Sequence, residues 1–120
     1  MIYTTYFAKL HELPKNITPI SIAGKAPDWY TGLQDKRFAP KYDFFIQWKE
    51  NHDNDFYTEC FNSQVIADKD PQQMYQSLMQ RVNTEDIALV CYETPEKFCH
   101  RHLVADWFCK NGIPVQEYQF

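Results

Sequence analysis

The run Ile87-Ala88-Leu89-Val90-Cys91-Tyr92 restricts this chain more than any other stretch. It is almost unbroken apolar sequence, the signature of a strand covered on both faces. A helical pattern follows, starting near Pro95 and running to about Asn111, with Gly112 as its C-terminal stop. Pro114 to Tyr118 then forms a short last strand, placed at a sheet edge because Pro cannot donate to a ladder. Strand, helix and strand make a β-α-β unit, whose two strands run parallel with a right-handed crossover.

The rest of the chain fits around that unit. Ile2 to Ala8 is β-branched and aromatic and reads as a first strand; Leu13-Pro14-Lys15-Asn16 is a turn; Thr18 to Ala23 is a second strand. Lys25 to Lys41 has no period and reads as a long irregular loop, a feature that is often functional in a small domain. Tyr42 to Asn51 is helical, with Tyr42, Phe45, Ile46 and Lys49 on one stripe. Asp55 to Ile66 is a second helix, with Phe56, Cys60, Phe61 and Val65 on its face. Asp70-Pro71-Gln72-Gln73 starts a third, in which Asp70 caps, Pro71 suits the first turn, and Met74, Leu78, Met79 and Val82 line one side. The expected order is β-β-α-α-α-β-α-β. It predicts an α/β fold: a small, mostly parallel four-stranded sheet flanked by helices, in one domain over residues 1–120.

Charge and cysteines narrow the function classes. The net charge of −4 comes from dispersed acids, so the chain lacks the field needed for non-specific binding to long DNA or RNA. No apolar run reaches the ~18 residues of a membrane span. Cys60, Cys91, Cys99 and Cys109 show neither a signal peptide before them nor the spacing of a stapled scaffold, so they are expected to be reduced and the protein cytoplasmic.

The chemistry concentrates just past the buried strand. In open parallel sheets, ligands sit beyond the carboxyl ends of the strands. Here that position holds Glu93, and the following helix opens with Cys99-His100-Arg101. A helix start favours anions, and a guanidinium beside it offers a forked donor for phosphate or carboxylate. Glu93 can serve as general acid or base. Leu103, Val104, Trp107 and Phe108 define the apolar stripe of the helix; one turn back the stripe meets His100, which therefore points inward. Cys99 and Arg101 flank it, and His102 and Cys109 fall toward solvent. Each residue also has a plain structural reading. His100 can be a core histidine with a satisfied hydrogen bond, and Arg101 can pair with a carboxylate such as Glu93. Cys99 can be packing rather than a nucleophile, and Glu93 a helix-entry residue.

Other constellations carry less. Lys25, Trp29 and Tyr30, with Lys36, Arg37 and Lys41, interleave aromatic and basic side chains in the long loop. Such a loop can stack on a base and hold its phosphate, or Trp29 and Tyr30 can pin it to the core. Lys9, past the first strand, belongs to the same edge, or is a solvated surface lysine. Cys99 with His102, and Cys91 with His100, do not form the two tight pairs of a structural zinc site, so no metal or other cofactor is expected. In His52-Asp53-Asn54-Asp55, Asn54 or Asp55 reads as a helix cap rather than a cation ligand.

The pattern strand-Cys91-x-Glu93, then Cys99-His100-Arg101 followed by Leu103-Val104-Ala105, resembles the bacterial and phage family called domain of unknown function 488. Tyr3 to Ala8 and Ile20 to Tyr30 look like one of its short branches. The resemblance covers most of the chain and is specific at Glu93 and Cys99-His100-Arg101. It implies an α/β fold and no particular activity. Many members carry Asp-Val-Arg at the end of the second strand; this chain has Ile22-Ala23-Gly24-Lys25, so Lys25 would stand in for that arginine with a different geometry.

The expected function is an enzyme acting on a phosphate-bearing or nucleotide-like small molecule. Glu93 would be the acid/base group, and Arg101, the helix start and Lys25 would hold the anion. His100 would orient or donate, with Cys99 as a candidate nucleophile. No Gly-rich phosphate loop or dinucleotide fingerprint is present, which disfavours nucleotide triphosphatases and dehydrogenases. The alternative is a non-catalytic module holding a nucleotide, a nucleic-acid end or another anion in the same pocket. A third reading, an interaction domain, makes the junction merely structural.

Overall fold

A computed structural model describes residues 1–120. Five strands form one sheet: β1 (Ile2–Tyr6), β2 (Ile17–Ser21), β3 (Leu33–Gln34), β4 (Asp86–Cys91) and β5 (Val115–Glu117). Their order is β3-β2-β4-β1-β5, and every pairing is parallel. The helices are α1 (Tyr42–Asn51), α2 (Asn54–Phe61), α3 (Pro71–Met79) and α4 (His100–Lys110). The run Ile87 to Cys91 holds the centre, with β1 on one side and β2 on the other, and is buried throughout. That is the position an uninterrupted apolar strand demands.

The sheet therefore has five strands, not four. The extra one, β3, lies inside the segment expected to be irregular, together with a 3₁₀ turn at Lys36–Phe38. A two-residue strand has no period to detect; it exists because Leu33 and Gln34 find partners at Ile20 and Ser21. Gly32 precedes it, and a Cβ there would lie 2.6 Å from the Tyr30 hydroxyl, so a larger residue would have to displace that ring. Phe7–Glu12 is a 3₁₀ segment that ends the first strand early. The last helix begins at His100 rather than near Pro95, because Cys99 is extended (φ −157°) and Pro95 to Lys97 form a turn. Asp53, one residue before the expected caps, is the one that accepts from Phe56 N–H at the start of α2. Beyond Phe61 that helix continues to Ile66 as a π turn. Asp70 caps α3 as expected, accepting from Gln73 N–H. Gly112, with φ +83°, ends α4 in the left-handed conformation that favours glycine.

Alternation along β4 sorts two layers. Ile87 and Leu89 join Phe44 of α1, Phe61 of α2, Leu78 of α3, and Val104 and Phe108 of α4 in the main core. Val90 faces a smaller cluster with Phe7, Ala23 and Tyr30. That cluster is supplied by the 3₁₀ segment Phe7–Glu12 and the chain after β2.

An ion-pair latch ties β3 to α3. The Asp35 carboxylate accepts from Arg37 Nε (2.9 Å) and Nη2 (2.6 Å) and lies 3.5 Å from Arg81. Burial alone would push the Asp35 carboxyl up; the Arg37 hydrogen bonds, then the Arg37 and Arg81 charges, outweigh it and hold it below its usual range. A carboxyl depressed in the fold stabilises above its unfolded pKa, and that stability is lost as pH falls through the folded value. Asp35→Asn should therefore cost about 2 kcal/mol near neutrality. In urea unfolding, the gap between wild type and variant should shrink below about pH 4. A gap that stays constant to about pH 3 would contradict this account.

Candidate functional site

The carboxyl ends of β2 and β4 are neighbours, with Ser21 opposite Val90. The chain leaves both ends at one side of the sheet, where Gly24, Lys25, Tyr92 and Glu93 border a hollow of about 660 Å³. The Tyr92 hydroxyl donates to the Lys25 carbonyl and joins the two loops at the rim. Helix α1 supplies one wall through Tyr42, Phe45, Trp48 and Lys49; Tyr57 of α2 and Phe98, just before α4, complete it. These rings interlock: Trp48 lies 5.8 Å from Phe98, and Tyr57 meets Phe98 edge-on at 5.1 Å. The Lys49 ammonium sits over the Phe45 ring at 5.4 Å.

Cys91, Cys99 and His100 form the floor. Cys91 is the last residue of the central strand and Cys99 is the residue before α4, so the strand end and the helix start meet there. All three are buried, with donor atoms within 4.8 Å of one another. His100 Nε2 lies 2.8 Å from the Ile22 carbonyl oxygen. A carbonyl can only accept, so Nε2 carries a proton and donates. In the neutral ring that leaves Nδ1 as the acceptor, and Cys91 Sγ lies 3.5 Å from it. The Cys99 thiol is held well below its ordinary range, first by a hydrogen bond with Cys91 and then, against burial, by His100 and Arg101. Cys91 moves the other way, pushed up by that same bond and by burial. Burial, followed by the charges of Cys91 and Cys99, pushes the Tyr57 hydroxyl up and keeps it a neutral donor at the wall.

Of the residues singled out by sequence, Glu93, Cys99, His100 and Lys25 line this hollow together. The inward phase of His100 is as expected. Arg101 is corrected. Its side chain is fully buried, and Nε and Nη2 bind the Glu117 carboxylate at 3.1 and 3.0 Å. Nη1 donates to the backbone carbonyl of Glu93 at 2.6 Å. The guanidinium lies behind the floor, outside the hollow, and its carboxylate partner is Glu117 of β5 rather than Glu93. It thereby fixes the Glu93 backbone and favours the Cys99 thiolate, but offers no face to a ligand. Lys9 is also corrected: it pairs with Glu12 at 3.0 Å and does not reach the hollow. Trp29 and Tyr30 likewise lie outside it. Tyr30 is buried, with its hydroxyl on Leu33 O at 2.6 Å, and Trp29 stands exposed against Phe7. Tyr30 is the pin of the long loop. His102, expected toward solvent, is half-buried and apart from the floor cluster.

Sequence reasoning missed the aromatic wall. The stripe Tyr42-Phe45-Lys49 was visible, but it faces the hollow; the core residue of α1 is Phe44. A helix carrying aromatics on two faces was the available signal. Which face would be buried depends on α2 and α4, which pack against it only in the fold.

Together these features define a small parallel α/β protein with an aromatic-walled hollow at the carboxyl edge of its sheet. A protein-family model described as the active DUF488-N3 subclade matches residues 5–112, and the chain belongs to the DUF488 family. No curated protein and no solved structure matches it. No helix is long and apolar enough to cross a membrane.

Proposed function

We propose that the protein is an enzyme whose hollow takes a small molecule bearing a flat, nucleobase-like ring and an anionic group of the phosphate type. One observation carries this reading: a wall of aromatic rings, two lysines and a carboxylate converge on a single cavity above a reactive floor. Rings such as Trp48 and Phe98 suit a planar heterocycle, since every base has a π-face to stack. Lys25 and Lys49 are exposed at the hollow and supply the positive charge that Arg101 cannot. Glu93 enters no salt bridge through its carboxylate and faces the same space, which suits a general acid or base. The family model that matches describes an active subclade, which supports the reading as an enzyme. All four cysteines are free, so a reducing, cytoplasmic setting is part of the proposal.

A thermal-shift panel of nucleosides, nucleotides and sugar phosphates tests it. Compounds carrying both ring and phosphate should raise Tm most, by mass action. Lys49→Ala, on the exposed side of α1, should leave unliganded Tm unchanged and weaken the best compound about tenfold, or about 1.4 kcal/mol. A panel with no stabilising compound would contradict the reading.

A further inference from the structure

We propose that the floor of the hollow is a metal site, in which Cys91, Cys99 and His100 hold a zinc-class divalent ion and leave its fourth position open to the hollow. Two thiolates and one imidazole are the donor set that a borderline-soft ion takes, and sites with three protein ligands and an open position are the catalytic kind. The three donors are already gathered from the end of β4 and the start of α4. Around a tetrahedral ion with ordinary bond lengths, sulfur and nitrogen stand about 3.6 Å apart. Cys91 Sγ and His100 Nδ1 stand 3.5 Å apart.

The second shell fits as well. A ligating histidine donates its other ring N–H to a carbonyl or carboxylate, which fixes the tautomer and aims the free nitrogen. His100 does this through Nε2 to Ile22 O, so Nδ1 is the nitrogen available to an ion. Around such an ion the sulfur would stand about 5 Å from Nε2; at 3.9 Å Cys91 Sγ lies beside the ring, nearly level with both nitrogens, so binding requires the Cys91 side chain to swing round to the Nδ1 side. Charge favours the same outcome: two buried thiolates repel one another, whereas a divalent ion between them makes the floor neutral. Arg101 is already matched by Glu117 and cannot do so. Spacing along the chain hid the site because its ligands come in no tight pairs; the fold supplies the proximity instead.

This inference names what the floor of the proposed active site holds, and it rests on that reading only for its role. The test uses the full chain, reduced and stripped with a chelator, then titrated with Co²⁺ and with Zn²⁺. The expected result is a single equivalent of Co²⁺ with an intense near-ultraviolet thiolate-to-cobalt band and tetrahedral visible bands, all displaced by Zn²⁺. Cys99→Ser should abolish the thiolate band or weaken affinity at least about tenfold, whereas Cys60→Ser and Cys109→Ser should leave both unchanged. Cys91 lies in the central strand and its replacement can unfold the chain, so the wild type carries the decisive result. Folded, reduced wild type with no thiolate band would overturn the proposal, as would a Cys99→Ser variant that binds Co²⁺ with wild-type affinity and wild-type band intensity. Metal loading is read without nucleotide, and the ligand panel is run on loaded and stripped protein. A floor that takes no metal and a hollow that takes no ligand are therefore separate results.

Discussion

Arg101→Ala should lower the unfolding free energy by about 3–5 kcal/mol, the range for breaking a buried ion pair from one side. The side chain is fully buried and holds three parts of the fold at once: Glu117 on the edge strand β5, the Glu93 carbonyl beyond β4, and, through Glu117, the Thr4 hydroxyl of β1 at 2.7 Å. Its loss leaves the half-buried Glu117 carboxylate without its cation and frees an edge strand of only three residues. Arg101→Lys should recover a minor part of the loss, because an ammonium cannot span both carboxylate oxygens and the Glu93 carbonyl. Urea unfolding at neutral pH measures these differences. If Arg101→Ala keeps wild-type stability and loses only ligand binding, the guanidinium is a ligand-holder after all and its assignment to the scaffold is wrong.

Glu93→Gln should have the opposite profile. The substitution keeps the shape and leaves the backbone carbonyl that Arg101 binds, and the carboxylate has no ion-pair partner to lose. Stability should stay within about 0.5 kcal/mol of wild type, as for a surface change. Turnover of the compound selected by the thermal-shift panel should fall about 10²- to 10⁴-fold, the contribution of a positioned acid or base. Affinity for that compound should change little. Unchanged turnover would remove Glu93 from the chemistry. A binder with no turnover in the wild type would favour the non-catalytic module.

Much of the scaffold was legible because single residues enforce it. The apolar run after Asp86 could only be a central strand, Pro114 could only precede an edge strand, and Asp70-Pro71 could only open a helix. β3 was not legible, since its two residues are held by Ile20 and Ser21 rather than by their own propensity. At the site, helical phase placed His100 inward correctly. It did not find the right use for Arg101, because Glu117, its partner, is sixteen residues away on a strand whose side-chain direction depends on register. Trp29 and Tyr30 had the composition of a stacking surface, yet position excludes them: their loop folds against Phe7, away from α1. Trp48 and Tyr57 have the same chemistry and face the hollow only because α1 and α2 pack beside the start of α4.

The three tryptophans provide the most direct test of the hollow. The Trp48 indole N–H, bonded to Asn54 Oδ1 at 2.7 Å, reports on the hollow itself. Trp29 lies against Phe7, and Trp107 packs on Phe38 beneath α4, so both serve as internal controls. In a ¹⁵N-correlated NMR titration with a nucleoside monophosphate, the Trp48 indole cross-peak should move saturably while those of Trp29 and Trp107 stay in place. Movement of the Trp29 peak instead, or no movement of any of the three at millimolar ligand, would contradict the account.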